Sequence, residues 1–277
     1  MTSRERQTRA KNGDGKSAGK KLSDFLWRIR SAVSNALFPE DITCDACGNE
    51  LTANTRYRLC AECYEKLPTV GEHVCLNCGV PLRDEADYCI RCENTESRFL
   101  CNRSPLVYDG LAKDIIHALK FGKKKYLVNT LGAMMADEFL SQKMHADIAV
   151  YVPMTQAEEK KRGFNQSELL ARDVAKRLGL PLLPALVKIR ETSAQKELKG
   201  KERADNLDGA FTCIFNQIKG RKILLIDDVF TTGATANACT DALLKEGARE
   251  VSVLTCAITE RKIPFEKSDE SESVGAQ

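Results

Sequence analysis

A chain of 277 residues that is 43% hydrophobic and 29% charged is long enough to bury one sizeable core with a small unit beside it, which excludes a wholly disordered chain. Its formal net charge of +3 is too small to imply nucleic-acid binding by itself, because steering depends on where the charges sit. No stretch has the roughly 20 apolar residues of a bilayer span and the start lacks the apolar centre of a signal peptide, so the expectation is a cytoplasmic protein without a membrane span.

In chain order, residues 1–21 place Arg4, Arg6, Arg9, Lys11, Lys16, Lys20 and Lys21 among Gly and Ser and read as a disordered, solvated basic tail. Over 22–40, Leu22, Phe25, Leu26, Ile29, Val33, Ala36 and Leu37 recur at helical spacing after a cap at Ser23, and Pro39 ends the run. That predicts an amphipathic helix packed on the body of the protein, with membrane-surface binding as the alternative.

Residues 41–98 hold eight of the 12 cysteines as four Cys-x-x-Cys pairs. Cys44/Cys47 and Cys75/Cys78 are each followed by Gly, which allows a tight turn with amides aimed at thiolate sulfur, and each resembles a zinc knuckle. Each is followed by a second pair, Cys60/Cys63 and Cys89/Cys92, so the region reads as two copies of one unit. Two all-Cys tetrahedral sites are expected, Cys44/Cys47/Cys60/Cys63 and Cys75/Cys78/Cys89/Cys92, with interleaved pairing as the alternative. Filled by four protein ligands, such sites are structural; an iron–sulfur cluster or redox-active pairs are the competing readings.

From about residue 99 to 261 strands and helices alternate. Leu106 to Tyr108 reads as a strand, Leu111 to Lys120 and Leu127 to Leu140 as helices, and Ala146 to Val152 as a buried strand ending at Pro153. A helix follows over Ser167 to Leu178, started by Asn165 and Glu168. After a basic stretch from Lys188 to Arg203 come strand Ile223 to Ile226, a helix from Thr235 to Glu246 closed by Gly247, and strand Val251 to Ala257. This order predicts an α/β fold, a mostly parallel sheet flanked by helices. Residues 262–277, rich in Ser, Glu and Asp, read as a disordered tail.

Ile223 to Ile226 deliver Asp227 and Asp228 to the carboxyl edge of the sheet, where open α/β folds bind ligands. Thr231-Thr232-Gly233-Ala234-Thr235 then enters a helix, and small hydroxylated residues at a helix start suit a phosphate, with Gly233 permitting close approach. An aliphatic strand ending in two acids also fits a Walker B segment, but no P-loop accompanies it. A second feature, Phe121-Gly122-Lys123-Lys124-Lys125-Tyr126, interleaves basic and aromatic side chains as a single-strand groove would, or forms a solvated face.

The string Ile223 to Thr235 resembles the phosphoribosyl pyrophosphate signature of type I phosphoribosyltransferases. The chain also resembles the ComF family of phosphoribosyltransferase-like proteins, associated with competence for DNA uptake. Its marks are the paired cysteines, Tyr108-x-Gly110, Leu119-Lys120-Phe121-x-Lys123, Val152-Pro153, Arg162-Gly163-Phe164-Asn165-Gln166 and the stretch from Gln195 through Asn206 to Gly209-Ala210-Phe211. Met154-Thr155 departs from the second Val-Pro-like pair of many members.

The resemblance implies a type I phosphoribosyltransferase-like domain behind a double zinc-ribbon-like module. It places Asp227 and Asp228 on the ribose hydroxyls, directly or through Mg²⁺, as the catalytic pair, and Thr231, Thr232, Gly233, Ala234 and Thr235 around the 5′-phosphate. Pro153, Met154 and Thr155 would meet pyrophosphate, and Lys188 to Arg203 would form a mobile hood; Arg162, beside a helix start, reads as facing an anion, with a simple surface contact as the alternative. The implied cofactors are two structural zinc ions and Mg²⁺, with phosphoribosyl pyrophosphate as substrate or ligand. The expected activity is phosphoribosyl transfer to an unidentified acceptor; the alternative is a non-catalytic or sensing protein that handles single-stranded DNA alongside DNA-uptake proteins.

Overall fold

Ile223, Leu224, Leu225 and Ile226 point alternately to opposite sides of their strand, yet all four are buried, which requires a sheet covered on both faces. The computed structural model describes residues 43–52, 55–83, 85–189 and 209–260. Its helices are α1 (Ala61–Glu65), α2 (Ile90–Glu93), α3 (Gly110–Phe121), α4 (Leu127–Ser141), α5 (Gln156–Arg162), α6 (Gln166–Leu178) and α7 (Ala234–Lys245). Its strands are β1 (Asn102–Arg103), β2 (Leu106–Val107), β3 (Ile148–Tyr151), β4 (Leu182–Leu183), β5 (Leu186–Lys188), β6 (Phe211–Cys213), β7 (Lys222–Phe230) and β8 (Glu250–Ile258).

The main sheet runs β1-β8-β7-β3-β4, with β2 also on β8, and every pairing in it is parallel. Leu224, Ile226, Leu254 and Cys256 face one core with Ile116 and Leu119 of α3, Leu131 and Met135 of α4 and Leu170 of α6. Ile223, Leu225, Val251 and Val253 face the other, with Cys239 and Leu243 of α7. The cysteine-rich segment divides between them: Cys44 and Cys63 join the first core, Cys75 and Cys78 the second.

The chain turns in opposite directions on leaving β3 and β7. From β3 it passes through α6 to β4, and from β7 through α7 to β8 on the other side. The crevice at the carboxyl ends of β3 and β7 is therefore a topological switch point, where open α/β sheets bind ligands.

Several expectations are refined. β7 does not stop at Ile226 but carries Asp227 and Asp228 inside it, because pairing with β8 continues to Phe230↔Ile258. Pairing with β3 ends at Tyr151↔Ile226, since β3 runs into Pro153, which has no N–H to donate. The acids thus lie where β7 has lost one neighbour. The segment Gln156–Arg162 is a helix that the apolar pattern did not reveal, and Leu186–Lys188 pairs antiparallel with Phe211–Cys213 at the two ends of the basic stretch. Residues 190–203 of the expected hood, the 22–40 helix and both terminal tails lie outside the described residues. Among the described residues no helix is long and apolar enough to cross a membrane.

Candidate functional site

Three segments converge on the crevice: the acids of β7, the turn into α7, and the Val152 to Thr155 loop after β3. Asp228 is buried, and its Oδ2 lies 2.7 Å from the Lys120 ammonium at the end of α3. Asp227 Oδ1 accepts from Ser167 Oγ at 2.7 Å and from the Asp228 N–H at 2.8 Å. Asp227 keeps an opening to solvent, but protein crowds it. That loss of water, reinforced by the Asp228 charge, pushes its pKa up to about 7 against the pull of Ser167 and Lys120. Burial works against the Lys120 charge, but Asp228 and then Asp227 outweigh it and raise its pKa.

Gly233 caps α7 in the left-handed region, with φ +75°. A Cβ there would sit 2.8 Å from the Phe230 ring, so the position needs glycine for its own fold as well as for any close ligand. The Ala234 N–H donates to Thr232 Oγ1 at 3.3 Å, and Thr231 is exposed. A helix start of this kind presents N–H groups and a positive dipole end to an anion.

Thr155 caps α5 in a reciprocal box with Glu158, and Pro153 is buried. Arg162 Nη1 donates to Gln166 Oε1 at 2.7 Å, and its guanidinium lies 5.3 Å from the Phe121 ring centre. Asn165 caps α6 through Oδ1, accepting from the Ser167 and Glu168 N–H groups, while Nδ2 donates to Val152 O at 3.1 Å. It thereby ties α6 to the end of β3 and sets Ser167 under Asp227.

The sequence assigns neither Ser167 nor Lys120 to the site, although Lys120 stands in the Leu119-Lys120-Phe121-x-Lys123 mark. Lys120 had a signal, because it lies one turn after the buried Ile116 on the apolar side of α3, and a lysine there needs an acidic partner. Ser167 had none, being one small residue in a helix start.

The eight paired cysteines gather as Cys44/Cys47/Cys60/Cys63 and Cys75/Cys78/Cys89/Cys92, the ligand atoms of each group within 4.8 Å of one another. This is the consecutive arrangement, not the interleaved one. All eight are free thiols. Cys47 and Cys60 sulfurs are 3.7 Å apart, as are those of Cys78 and Cys89, close to the roughly 3.8 Å edge of a tetrahedron with Zn–S of about 2.3 Å. The donor sets fit zinc. Amides point at sulfur in both, Cys60 N–H to Cys44 Sγ at 3.3 Å and Cys89 N–H to Cys75 Sγ at 3.4 Å. Burial opposes the thiolate at Cys44 and Cys75, but backbone N–H donors prevail and lower their pKa values to about 6 and about 7.

Between the first group and the segment that precedes α4 lies an open cleft of about 390 Å³, lined by Cys44, Asp45, Arg58, Lys124 and Tyr126 among others. Lys123, Lys124 and Lys125 are exposed beside it, the Lys125 ammonium 4.8 Å from the Phe164 ring centre.

A double zinc ribbon domain model matches residues 33–93, and a phosphoribosyl transferase domain model matches 165–275. Competence protein ComFC of Bacillus subtilis is 30% identical over 212 residues, 72% of this chain and 83% of that protein. The chain belongs to the ComF family. DNA utilization protein YhgH of Escherichia coli K12 is 29% identical over 201 residues, 70% of this chain and 88% of that protein. Among solved structures, a purine phosphoribosyltransferase from Pyrococcus horikoshii aligns at 20% identity and a TM-score of 0.30, covering 47% of this chain and 72% of that one. The family member thus has a phosphoribosyltransferase-type α/β domain and two four-cysteine groups suited to structural zinc.

Proposed function

We propose that this chain binds phosphoribosyl pyrophosphate at the β3–β7 crevice and transfers its phosphoribosyl group to an acceptor still to be identified. The observation that carries this is the meeting of an acid pair, on a strand freed of one neighbour, with a glycine-capped helix start. In this reading Asp227 and Asp228 serve the ribose hydroxyls, Thr231 to Thr235 the 5′-phosphate, and Pro153 to Thr155 the pyrophosphate. The C1′–O bond to pyrophosphate breaks, pyrophosphate leaves with the electron pair, and the acceptor's lone pair forms the new bond to C1′. The protein contributes position and charge rather than a nucleophile of its own. Carboxylate oxygens suit Mg²⁺, which when bound neutralises the leaving pyrophosphate. The eight cysteines would hold two zinc ions whose role is structural.

Calorimetry with phosphoribosyl pyrophosphate and Mg²⁺ tests the reading, followed by pyrophosphate release with a panel of bases. Asp227→Asn with Asp228→Asn should weaken binding more than about tenfold; equal binding by the folded variant and the wild type overturns the assignment. The raised Asp227 pKa adds a pH signature. Native protein holds a proton there that an unfolded Asp, at its ordinary value of 3.8, has released. The stability this group contributes is present below that value and is lost as pH rises towards about 7. Asp227→Asn should remove that slope in unfolding curves.

A second reading, handling of single-stranded DNA, is favoured by the basic cleft beside Lys124 and Tyr126 and by the competence and DNA-utilization names of the relatives. Replacing Lys123, Lys124 and Lys125 with Ala should then weaken single-strand binding and flatten its salt dependence.

A further inference from the structure

Two carboxylates side by side in a partly dehydrated crevice resist joint ionisation unless a cation serves them. Lys120 is already there. Its Nζ stands 2.7 Å from Asp228 Oδ2, and the two side chains are only 18% and 8% exposed. Ile115, Ile116 and Leu119 are buried along the same helix, so the lysine stem follows packed apolar surface and its head is delivered to the acid rather than to water. Asp227 is held separately, by Ser167 Oγ and the Asp228 N–H. The pair and Lys120 together carry one net negative charge when both acids are ionised.

We propose that Lys120 is a positioning residue of this site: its ammonium is the resident counter-cation of Asp228, and a divalent cation reaches that carboxylate only in competition with it. This rests on the phosphoribosyl pyrophosphate reading only for the identity of the ligand. The geometry gives the crevice a built-in restraint on metal uptake. An incoming ribose with its metal must share Asp228 with Lys120, whereas metal alone binds the Lys120-paired acids weakly.

Mn²⁺ alone, titrated into the full chain at about pH 8 and followed by the electron paramagnetic resonance of the free ion, tests this above the raised Asp227 pKa. Lys120→Met should bind Mn²⁺ at least about tenfold more tightly than wild type, because the metal then serves the acid pair without displacing a resident ammonium. Lys120→Arg should stay within about twofold of wild type, a rescue that loss of packing alone does not explain. Adding Asp228→Asn to Lys120→Met should abolish the gain, placing the metal on this acid rather than on cysteines. If unfolding curves show that Lys120→Met does not fold, Lys120→Gln replaces it with a neutral donor one bond shorter. Mn²⁺ binding by the folded neutral variant that is no tighter than wild type overturns the proposal. Phosphoribosyl pyrophosphate is titrated separately: failure of wild type to bind it sinks the ligand reading, while the Mn²⁺ comparison still decides the role of Lys120.

Discussion

Cys44-x-x-Cys47-Gly48 and Cys75-x-x-Cys78-Gly79 form the same turn, Gly48 N–H donating to Cys44 O at 2.8 Å and Gly79 N–H to Cys75 O at 2.9 Å, but they are set against opposite faces of one sheet. The first group leans on α4, where Thr130 Oγ1 donates to Asp45 Oδ2 and Tyr57 Oη donates to Asp137 Oδ2, each at 2.6 Å. The second reaches the turn into α7 from behind. Phe99 packs edge-on against Phe230 at 5.8 Å, the Arg98 N–H donates to Asn237 Oδ1 at 2.9 Å, and Phe230 lies under Gly233. A repeated unit has thus acquired two different neighbours, and only one of them borders the candidate phosphate turn.

The largest expected effect separates the two groups by ligand affinity. Cys75→Ser with Cys78→Ser should remove one of two zinc ions and weaken phosphoribosyl pyrophosphate binding by more than about tenfold, because Phe99 and Arg98 lose the support that steadies Phe230 and α7. Cys44→Ser with Cys47→Ser should also remove one zinc but leave affinity within about twofold. Zinc analysis and calorimetry on folded variants decide; equal loss of affinity from both would erase the distinction.

Next in size is a contrast between the two glycines. Both have positive φ, +79° at Gly48 and +75° at Gly79, so Ala at either costs about 1 kcal/mol in backbone strain. A Cβ at Gly48 meets open space, whereas one at Gly79 falls 2.5 Å from Asn102 O on β1. Gly79→Ala should therefore destabilise by a further roughly 1–3 kcal/mol, read as a lower denaturant midpoint than for Gly48→Ala. Matching midpoints would mean that the second turn does not need its close approach to β1.

What the sequence exposed, and what it hid, follows the same physics. β7 and β8 were legible because a sheet buried on both faces demands unbroken aliphatic runs, and the acids followed from their position after Ile226. β1 and β4, two residues each, are too short to show a period. α5 has no buried residue and hence no apolar stripe, though Thr155 and Glu158 spelled a capping box. The doubling of the cysteine unit could be read from spacing, but its division between two cores could not, since it depends on Asn102, Thr130 and Asn237, distant in the chain. Lys120 shows the middle case: its place on an apolar helix face signalled a buried acid without saying which.

The smallest expected effect isolates the first group's anchorage. Thr130 is buried, and its hydroxyl lies 2.6 Å from Asp45 Oδ2 and 2.9 Å from Tyr57 O, joining α4 to two points of the cysteine unit. One hydroxyl proton serves both acceptors, so Thr130→Val removes about one hydrogen bond to a charged group at nearly constant volume. Asp45 retains the Arg58 guanidinium at 3.4 Å, which limits the cost of the lost partner to about 1–2 kcal/mol. Since these contacts lie on the face away from Phe230 and Gly233, affinity for phosphoribosyl pyrophosphate should be unchanged within about twofold. Unfolding curves and calorimetry on one variant give both quantities. A loss of affinity beyond that range would mean that the first group also shapes the ligand crevice, through α4 and the core it shares with Ile226.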